Sequence, residues 1–375
     1  HLIQELEQFR SAFGTEPEVA NRIRTPRYYY YGTKIWEEAL SALLCGEHLL
    51  LTGPKATGKN VLAENLAAAF GRPLFNISLS INTDAASLIG SDTWKNGEVT
   101  FREGPVSQSA RFGGFGVLDE INMAKNEALA VLHEALDFRG SIDVPGYDRI
   151  DLHPACRFIA TMNYGYAGTR ELNEALTSRF VVIDMPPISE DYLAKLLRSE
   201  FPDLSPAWNT QFCRIFQELQ KKCESAEISP KALDLRGLLA SVRLIKKGLA
   251  PLEALRLGIG NKIFDPYERK LVDDLFLTRV SEKQSAAELF PSRNNVLKIS
   301  SGMLPVTIIS FRIMLPMKKT ESQASTSIAL LVPSIVTTTM LPSMICFCAL
   351  DVCGKPISFA DWSGLDWNAV LMSML

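Results

Sequence analysis

Charge of one sign is in short supply. Lys and Arg number 39 against 42 Asp and Glu, a net of −3 over 375 residues. A chain so balanced lacks the basic excess that marks nucleic-acid and anionic-membrane binders, so neither is an expected partner. Metal-type ligand spacing is missing too. Cys45, Cys156, Cys213 and Cys223 are scattered, and the cluster Cys346, Cys348 and Cys353 has no His nearby, so a zinc site is not expected. An odd count of seven cysteines reads as reduced thiols of an intracellular, cytoplasmic protein. The opening residues His1-Leu2-Ile3-Gln4-Glu5 have neither the basic region nor the apolar core of a signal peptide. Without an initiator Met, the sequence also reads as one that starts inside a longer chain. No internal repeat is evident. Ser322–Leu350 has no charged side chain and is long enough to span a bilayer. Pro333, Pro342 and many Ser and Thr argue against a span there.

What is present is a 47% hydrophobic, 22% charged composition, ordinary for a globular protein and incompatible with global disorder. The average hides a break. Residues 291–375 hold 6 of the 39 basic and 4 of the 42 acidic residues, yet 7 of the 10 Met. Such a tail shares little with what precedes it and reads as disordered or as frameshifted sequence of different origin.

Periodicity organises the rest. Ile35–Leu44 is amphipathic and stops at Gly46, a helix with a glycine end. His48–Thr52 is a short apolar run, as expected of a buried parallel strand. A helix over Lys59–Phe70 follows, then strands over Leu74–Leu79, Phe115–Asp119, Arg157–Asn163 and Phe180–Asp184, with a helix over Asn126–Asp137. Strands alternating with helices predict a parallel sheet covered on both faces. Asn96-Gly97 predicts one hairpin, over residues 94–99, and Pro145-Gly146 a second over Ile142–Leu152. After Pro186-Pro187 only helices are expected: Ser189–Glu200, Pro206–Cys223, Pro230–Lys247, Pro251–Ile263 and Pro266–Val280, most opened by Ser, Pro or Asp-Pro.

The chemistry concentrates in four places. Gly53-Pro54-Lys55-Ala56-Thr57-Gly58-Lys59-Asn60 lies between the first strand and the second helix. Its glycines let backbone N–H groups curl around phosphate, and the helix N-terminus adds its dipole. Lys59 would meet the β- and γ-phosphates. Asn60 stands where Ser or Thr usually ligates Mg²⁺, and its amide oxygen can take that place or hold a water of the ion. Asp119 ends a buried strand, where a carboxylate can hold Mg²⁺ through water, and Glu120 can polarise an attacking water. Asn163 ends another strand and can hold that water or sense the γ-phosphate. Arg179 sits between a short helix and a strand, from which it can reach a neighbouring subunit's γ-phosphate; Arg170 is the second candidate. For each there is a plainer reading: an exposed lysine on a Gly-rich turn, a solvated strand end, a turn-forming Asn before Tyr164-Gly165, a surface salt bridge.

Taken in order, Gly53–Asn60, Leu118-Asp119-Glu120, Ala160-Thr161-Met162-Asn163 and Ser178-Arg179-Phe180, followed by a helical lid, resemble an AAA+ ATPase. Phe101-Arg102-Glu103-Gly104-Pro105 and Asp119-Glu120-Ile121-Asn122-Met123-Ala124 are similar to the MoxR and dynein-related branch, whose two hairpin inserts match the two above. The resemblance covers residues 20–282. It implies a P-loop NTPase α/β core at residues 23–187 after an N-terminal helical segment (1–22) and an all-helical lid at 188–282; the atypical tail at 283–375 shares none of its pattern. It also implies ATP and Mg²⁺ as cofactors, a ring, generally a hexamer, and a lid arginine on the γ-phosphate. Arg236 is the choice for that sensor, with Lys231 and then Arg243 behind it. One ring of Tyr28–Tyr31, Tyr31 in the first place, would lie beside the adenine or else dock into the core. Relatives of this kind act as remodelling or assembly chaperones on a protein client, many with a von Willebrand factor A-domain partner. A nucleic-acid or restriction-type NTPase motor is the alternative, disfavoured by 33 basic against 38 acidic residues over the first 290. A nucleotide-binding scaffold without turnover is a second, resting on Asn60.

Overall fold

The structure, a computed structural model, describes residues 1–95, 97–163 and 172–291. Asn96, Arg170, the Cys346–Cys353 cluster and the uncharged run 322–350 lie outside the described residues. The chain begins with α1 (Leu2–Ala12) and α2 (Thr33–Leu44), then β1 (Leu49–Gly53), α3 (Lys59–Ala69) and β2 (Leu74–Ser78). There follow α4 (Ala85–Ile89), β3 (Gly90–Lys95), β4 (Glu98–Glu103), α5 (Pro105–Phe112), β5 (Phe115–Asp119), α6 (Asn126–Leu129), β6 (Ser141–Ile142) and β7 (Ile150–Asp151). The sheet is completed by β8 (Arg157–Asn163), α7 (Glu174–Thr177) and β9 (Val181–Asp184). Beyond it lie only helices among the described residues: α8 (Glu190–Glu200), α9 (Pro206–Glu224), α10 (Leu235–Lys246), α11 (Pro251–Gly258), α12 (Pro266–Arg279) and α13 (Ala286–Leu289).

Five strands form one parallel sheet in the order β2-β5-β8-β1-β9. The run Leu49-Leu50-Leu51 explains why β1 lies inside it. Successive side chains of a strand point to opposite faces, and here both faces are covered. Leu49 and Leu51 pack with α2 and α3 residues such as Leu43, Leu62 and Leu66. Leu50 faces the other way, onto Val106, Ala110 and Leu132. The parallel sheet covered on both faces, which the alternation predicts, is therefore present.

Both hairpins form. β3 and β4 pair antiparallel from Gly90–Glu103 to Lys95–Glu98, and β6 and β7 pair over two residues each. The second hairpin braces the first. Tyr147 Oη donates to Asp92 Oδ1 at 2.6 Å, and its ring lies 4.9 Å from that of Phe101.

Three helices differ from the sequence reading, each for a local reason. The helix expected over Asn126–Asp137 is α6 followed by a 3₁₀ turn at Ala130–Leu132. The His133 carbonyl, which a continuing helix would use, accepts from Arg179 Nε at 3.1 Å, and the Glu134 carbonyl accepts from Ser141 N. The helix expected from Pro230 begins at Leu235, because Asp234 is extended and caps it by accepting from Gly237 N at 2.9 Å. The helix expected to reach Ile263 ends at Gly258 and gives way to a 3₁₀ turn at Gly260–Lys262. Gly237 and Gly258 let α10 and α11 touch: a Cβ on Gly237 would stand 2.3 Å from the Gly258 carbonyl oxygen. Ser241 Oγ, between the two helices, donates to the Ala254 carbonyl at 2.9 Å.

The helical part has its own core, built on Phe212, Phe216, Val242, Leu255 and Phe276. Leu289 and Phe290 are buried in it, past residue 282. At the opposite end of the chain, the fully buried Arg72 donates to the carbonyls of Phe13, Gly14, Phe112 and Gly113. No helix of the described residues is long and apolar enough to cross a membrane.

Candidate nucleotide site

The strands end in register. Gly53, the last residue of β1, pairs with Asn163 of β8, and Thr52 with Asp184 of β9. Asp119 ends β5 opposite Ser78 of β2. One edge of the sheet thus carries every strand-end residue singled out above, the position where open α/β sheets bind ligands. Gly53 is required there: its φ is +140°, and a Cβ would sit 2.6 Å from the Met185 carbonyl oxygen. Gly58 turns into α3 with φ +87°. Ala56 has φ +63° between them, a left-handed conformation that costs a non-glycine residue roughly 1 kcal/mol or more.

Lys59 is buried at 7% exposure, and its Nζ donates to the Gly53 carbonyl (2.8 Å), the Pro54 carbonyl (2.7 Å) and Thr57 Oγ1 (3.2 Å). Burial pushes its pKa down to about 8, against the opposing pull of Asp119, Asp184 and Glu120. The loop's ammonium thus gives up its proton more readily than an ordinary lysine's, though it sits in a carboxylate-rich mouth.

Asp119, Glu120 and Asn163 are brought together. Glu120 adopts φ +57°, ψ +49°, which turns its carboxylate back toward β8. Asn163 Nδ2 lies 3.4 Å from Glu120 Oε1, and Asn122 Nδ2 donates to the Asn163 carbonyl at 3.0 Å. Thr161 Oγ1 donates to Asp119 Oδ1 at 2.6 Å and accepts from Glu120 N at 3.2 Å. The oxygen donors suit Mg²⁺. Asn60 offers an amide oxygen and Asp119 a second carboxylate oxygen, few protein ligands as this ion favours when phosphates and waters complete its shell. No group of three or more His, Cys, Asp or Glu side chains that could hold a metal occurs among the described residues.

A cavity of about 670 Å³ opens over this edge. It is lined by Lys55–Asn60, Asp119, Glu120 and Asn163 on the sheet side and by Tyr192, Lys231, Arg236 and Lys262 on the helical side. Arg236 and Lys231, the two leading sensor candidates, therefore both face it. Arg243 does not line it; its Nη2 donates to Tyr28 Oη (2.7 Å) and Glu200 Oε2 (3.0 Å). Tyr28–Tyr31 all line the cavity, and Tyr30 is the buried member. Tyr30 N donates to Asn65 Oδ1 at 3.1 Å while Asn65 Nδ2 donates to the Tyr28 carbonyl at 2.8 Å. Burial raises the Tyr30 phenol pKa well above its usual value. Arg179 lies outside its own cavity. Its guanidinium donates to the His133 and Ala175 carbonyls and pairs with Asp137 at 3.4 Å, and the Asp137 carboxylate is held down to about 2 chiefly by Arg139.

Sequence reasoning missed Thr161, Asn65, Asp184 and Lys262. Asn65 had a signal, a polar residue on the otherwise apolar buried face of a helix. Lys262 had none: it reaches the cavity because the turn after α11 carries it to Asp234, 2.5 Å away.

A family description decides what this edge belongs to: "AAA domain (dynein-related subfamily)" matches residues 48–180. Relatives that align over about two thirds of this chain are also found. The protein described as uncharacterized protein YojN of Bacillus subtilis is 34% identical over 264 residues, 69% of this chain and 86% of that protein. This chain is an AAA+ protein of the dynein-related subfamily. Uncharacterized protein SH1500 of Staphylococcus haemolyticus is 32% identical across 66% of this chain and 95% of its own length. Uncharacterized protein SAB1265c of Staphylococcus aureus is 32% identical across 64% and 92%. AAA domains are nucleotide-binding ATPase domains, typically Mg²⁺-dependent and commonly assembled into rings, and the Gly53–Asn60 loop, Asp119 and Glu120 all fall within the matched segment.

Proposed function

We propose that this AAA+ protein hydrolyses ATP to drive remodelling or assembly of a protein client, as a chaperone of MoxR type. The observation that carries the hydrolytic half is convergence: Lys59, Asn60, Asp119, Glu120 and Asn163 share one cavity with Lys231 and Arg236. Asn60 and Asp119 would hold Mg²⁺, whose charge would offset that of the phosphates when it is bound. Lys59 lays its ammonium on the same phosphates. Glu120 takes the proton of the attacking water, and Asn163, 3.4 Å from it, orients that water. Arg236 stabilises the charge that develops in cis, with Lys231 as its reserve, and Arg179 does so for the neighbouring subunit in a ring, taken as a hexamer. The exclusion of Arg179 from its own cavity supports that last role.

On this reading residues 23–187 are the nucleotide-binding core and 188–282 the lid, and nucleotide state changes the angle between them. The two hairpins joined by Tyr147 and Asp92 carry that motion to the client. A von Willebrand factor A-domain partner belongs to the MoxR resemblance, and work in the cytoplasm to the reading of the cysteines as reduced thiols. The net acidic balance of the first 290 residues favours a protein client over nucleic acid.

The test is ATP turnover by the wild type against Glu120→Gln, together with capture of bound material by the variant. Turnover lost in the variant with nucleotide binding retained supports the reading, and protein without DNA in the captured material supports the chaperone role. Equal turnover in the two sinks the role of Glu120. Co-purifying nucleic acid favours a motor, and a wild type that binds ATP without turnover leaves a scaffold.

A further inference from the structure

We infer that Thr161 is a positioning residue of the ATPase centre, setting the two carboxylates at the end of β5 through one hydroxyl. The inference rests on the hydrolytic reading above and adds a residue that reading does not use. Thr161 is 2% exposed, so water has little access to its hydroxyl. An ionised Asp119 can only accept, so the Thr161 proton points to Asp119 Oδ1, 2.6 Å away. The hydroxyl's remaining lone pair then faces the Glu120 N–H at 3.2 Å. Each bond fixes a different thing. The first selects the Asp119 rotamer and occupies one carboxylate oxygen, which leaves the other for Mg²⁺ or its waters. The second holds the Glu120 amide in the left-handed conformation, φ +57°, that brings its carboxylate to Asn163.

The neighbouring strand residue cannot substitute. Ala160 points to the opposite face and is buried with Leu118 and Leu50. Thr161 is thus the β8 side chain that reaches both carboxylate-bearing residues, two positions before the Asn163 amide that completes the group.

Thr161→Val keeps the shape of the side chain and removes both bonds; Thr161→Ser keeps both. Hydrogen bonds to charged groups are worth enough that the Val variant should lose about tenfold or more in kcat. KM for ATP should move less than kcat. A second readout is independent of turnover. The Mg²⁺ concentration for half-maximal binding of a fluorescent ATP analogue should rise severalfold in the Val variant and return to the wild-type value in the Ser variant. Thermal melting of both variants separates positioning from loss of fold. Wild-type kcat and Mg²⁺ dependence in a folded Val variant overturn the inference while leaving the ATPase reading intact. A Ser variant as impaired as Val also overturns it, because packing rather than the hydroxyl would then be responsible. A wild type that binds the analogue but turns over no ATP refutes the hydrolytic reading alone, and the Mg²⁺ titration still decides Thr161. A wild type that neither binds nor hydrolyses ATP overturns both.

Discussion

Nucleotide affinity should fall as pH rises, and Lys59 sets the window. Burial lowers the Lys59 pKa to about 8 from 10.5, so the unliganded side chain is mostly ammonium at pH 7 and mostly amine at pH 9. If phosphate binding requires the ammonium, the competent fraction drops from about nine-tenths to about one-tenth across those two units. The apparent Kd for ATP then rises about tenfold. The terminal phosphate is essentially fully ionised above pH 7, its second pKa being near 6 in phosphate esters generally, so its own titration does not mask the effect. Fluorescent-nucleotide titrations at pH 7, 8 and 9 measure the slope, and calorimetry in buffers of differing ionisation enthalpy should show proton uptake on binding at pH 8 to 9. Two variants sharpen the test. Lys59→Ala should bind weakly with no slope, and Glu120→Gln, by removing one of the carboxylates that support the charge, should move the fall to lower pH. The linked stability has a defined sign. The unfolded chain binds the Lys59 proton more readily, so this group makes unliganded protein more stable as pH rises between about 8 and 10.5. A Kd unchanged from pH 7 to 9, or a Lys59→Ala variant with the wild-type slope, would refute the reasoning.

Other perturbations separate the site from its frame. Arg179→Ala should leave ATP affinity of a dilute protomer within about twofold, since the residue does not line its own cavity, yet abolish most turnover at ring-forming concentration; equilibrium binding and steady-state rates check the two halves. Arg72→Leu should destabilise the fold by about 3 kcal/mol or more, because it strands four carbonyls that now accept from one buried guanidinium; urea denaturation measures it. Gly53→Ala should remove nucleotide binding, as the added methyl meets the Met185 carbonyl at 2.6 Å, and binding titrations on folded protein would show it.

The parts of the fold legible in the sequence were those written as local pattern. Leu49-Leu50-Leu51 told of a strand covered on both faces because its side chains alternate between two apolar layers. The Gly53–Asn60 loop could be read because glycine meets the positive-φ backbone at Gly53 and Gly58 without strain. What could not be read depends on residues far apart in the chain. The helix expected to run on to Asp137 stops at Leu129, and the His133 carbonyl that its last turn would have used is taken by Arg179, 46 residues away. Pro230 looked like a helix start, yet Asp234 has the capping geometry and also holds Lys262. Within the tyrosine run, the sequence favoured Tyr31 for the cavity, and it took the fold to distinguish Tyr30, anchored to Asn65 on α3. Thr161 was written among the motif residues all along. Its importance depends on register between β5 and β8, which no single segment contains.

The tyrosine run has a mechanical consequence. Its backbone is fastened to α3 by Asn65, and the Tyr28 hydroxyl is fastened to α10 by Arg243. This short strap therefore crosses from the sheet to the helical bundle along the wall of the cavity. If the bundle swings relative to the sheet, the strap must either slacken or tighten, and the space left for a base changes with it. Ligand size and bundle angle then become two measures of one coordinate. If a base lies against the tyrosine run, its size would be felt at Arg243 and Glu200 through the Tyr28 hydroxyl.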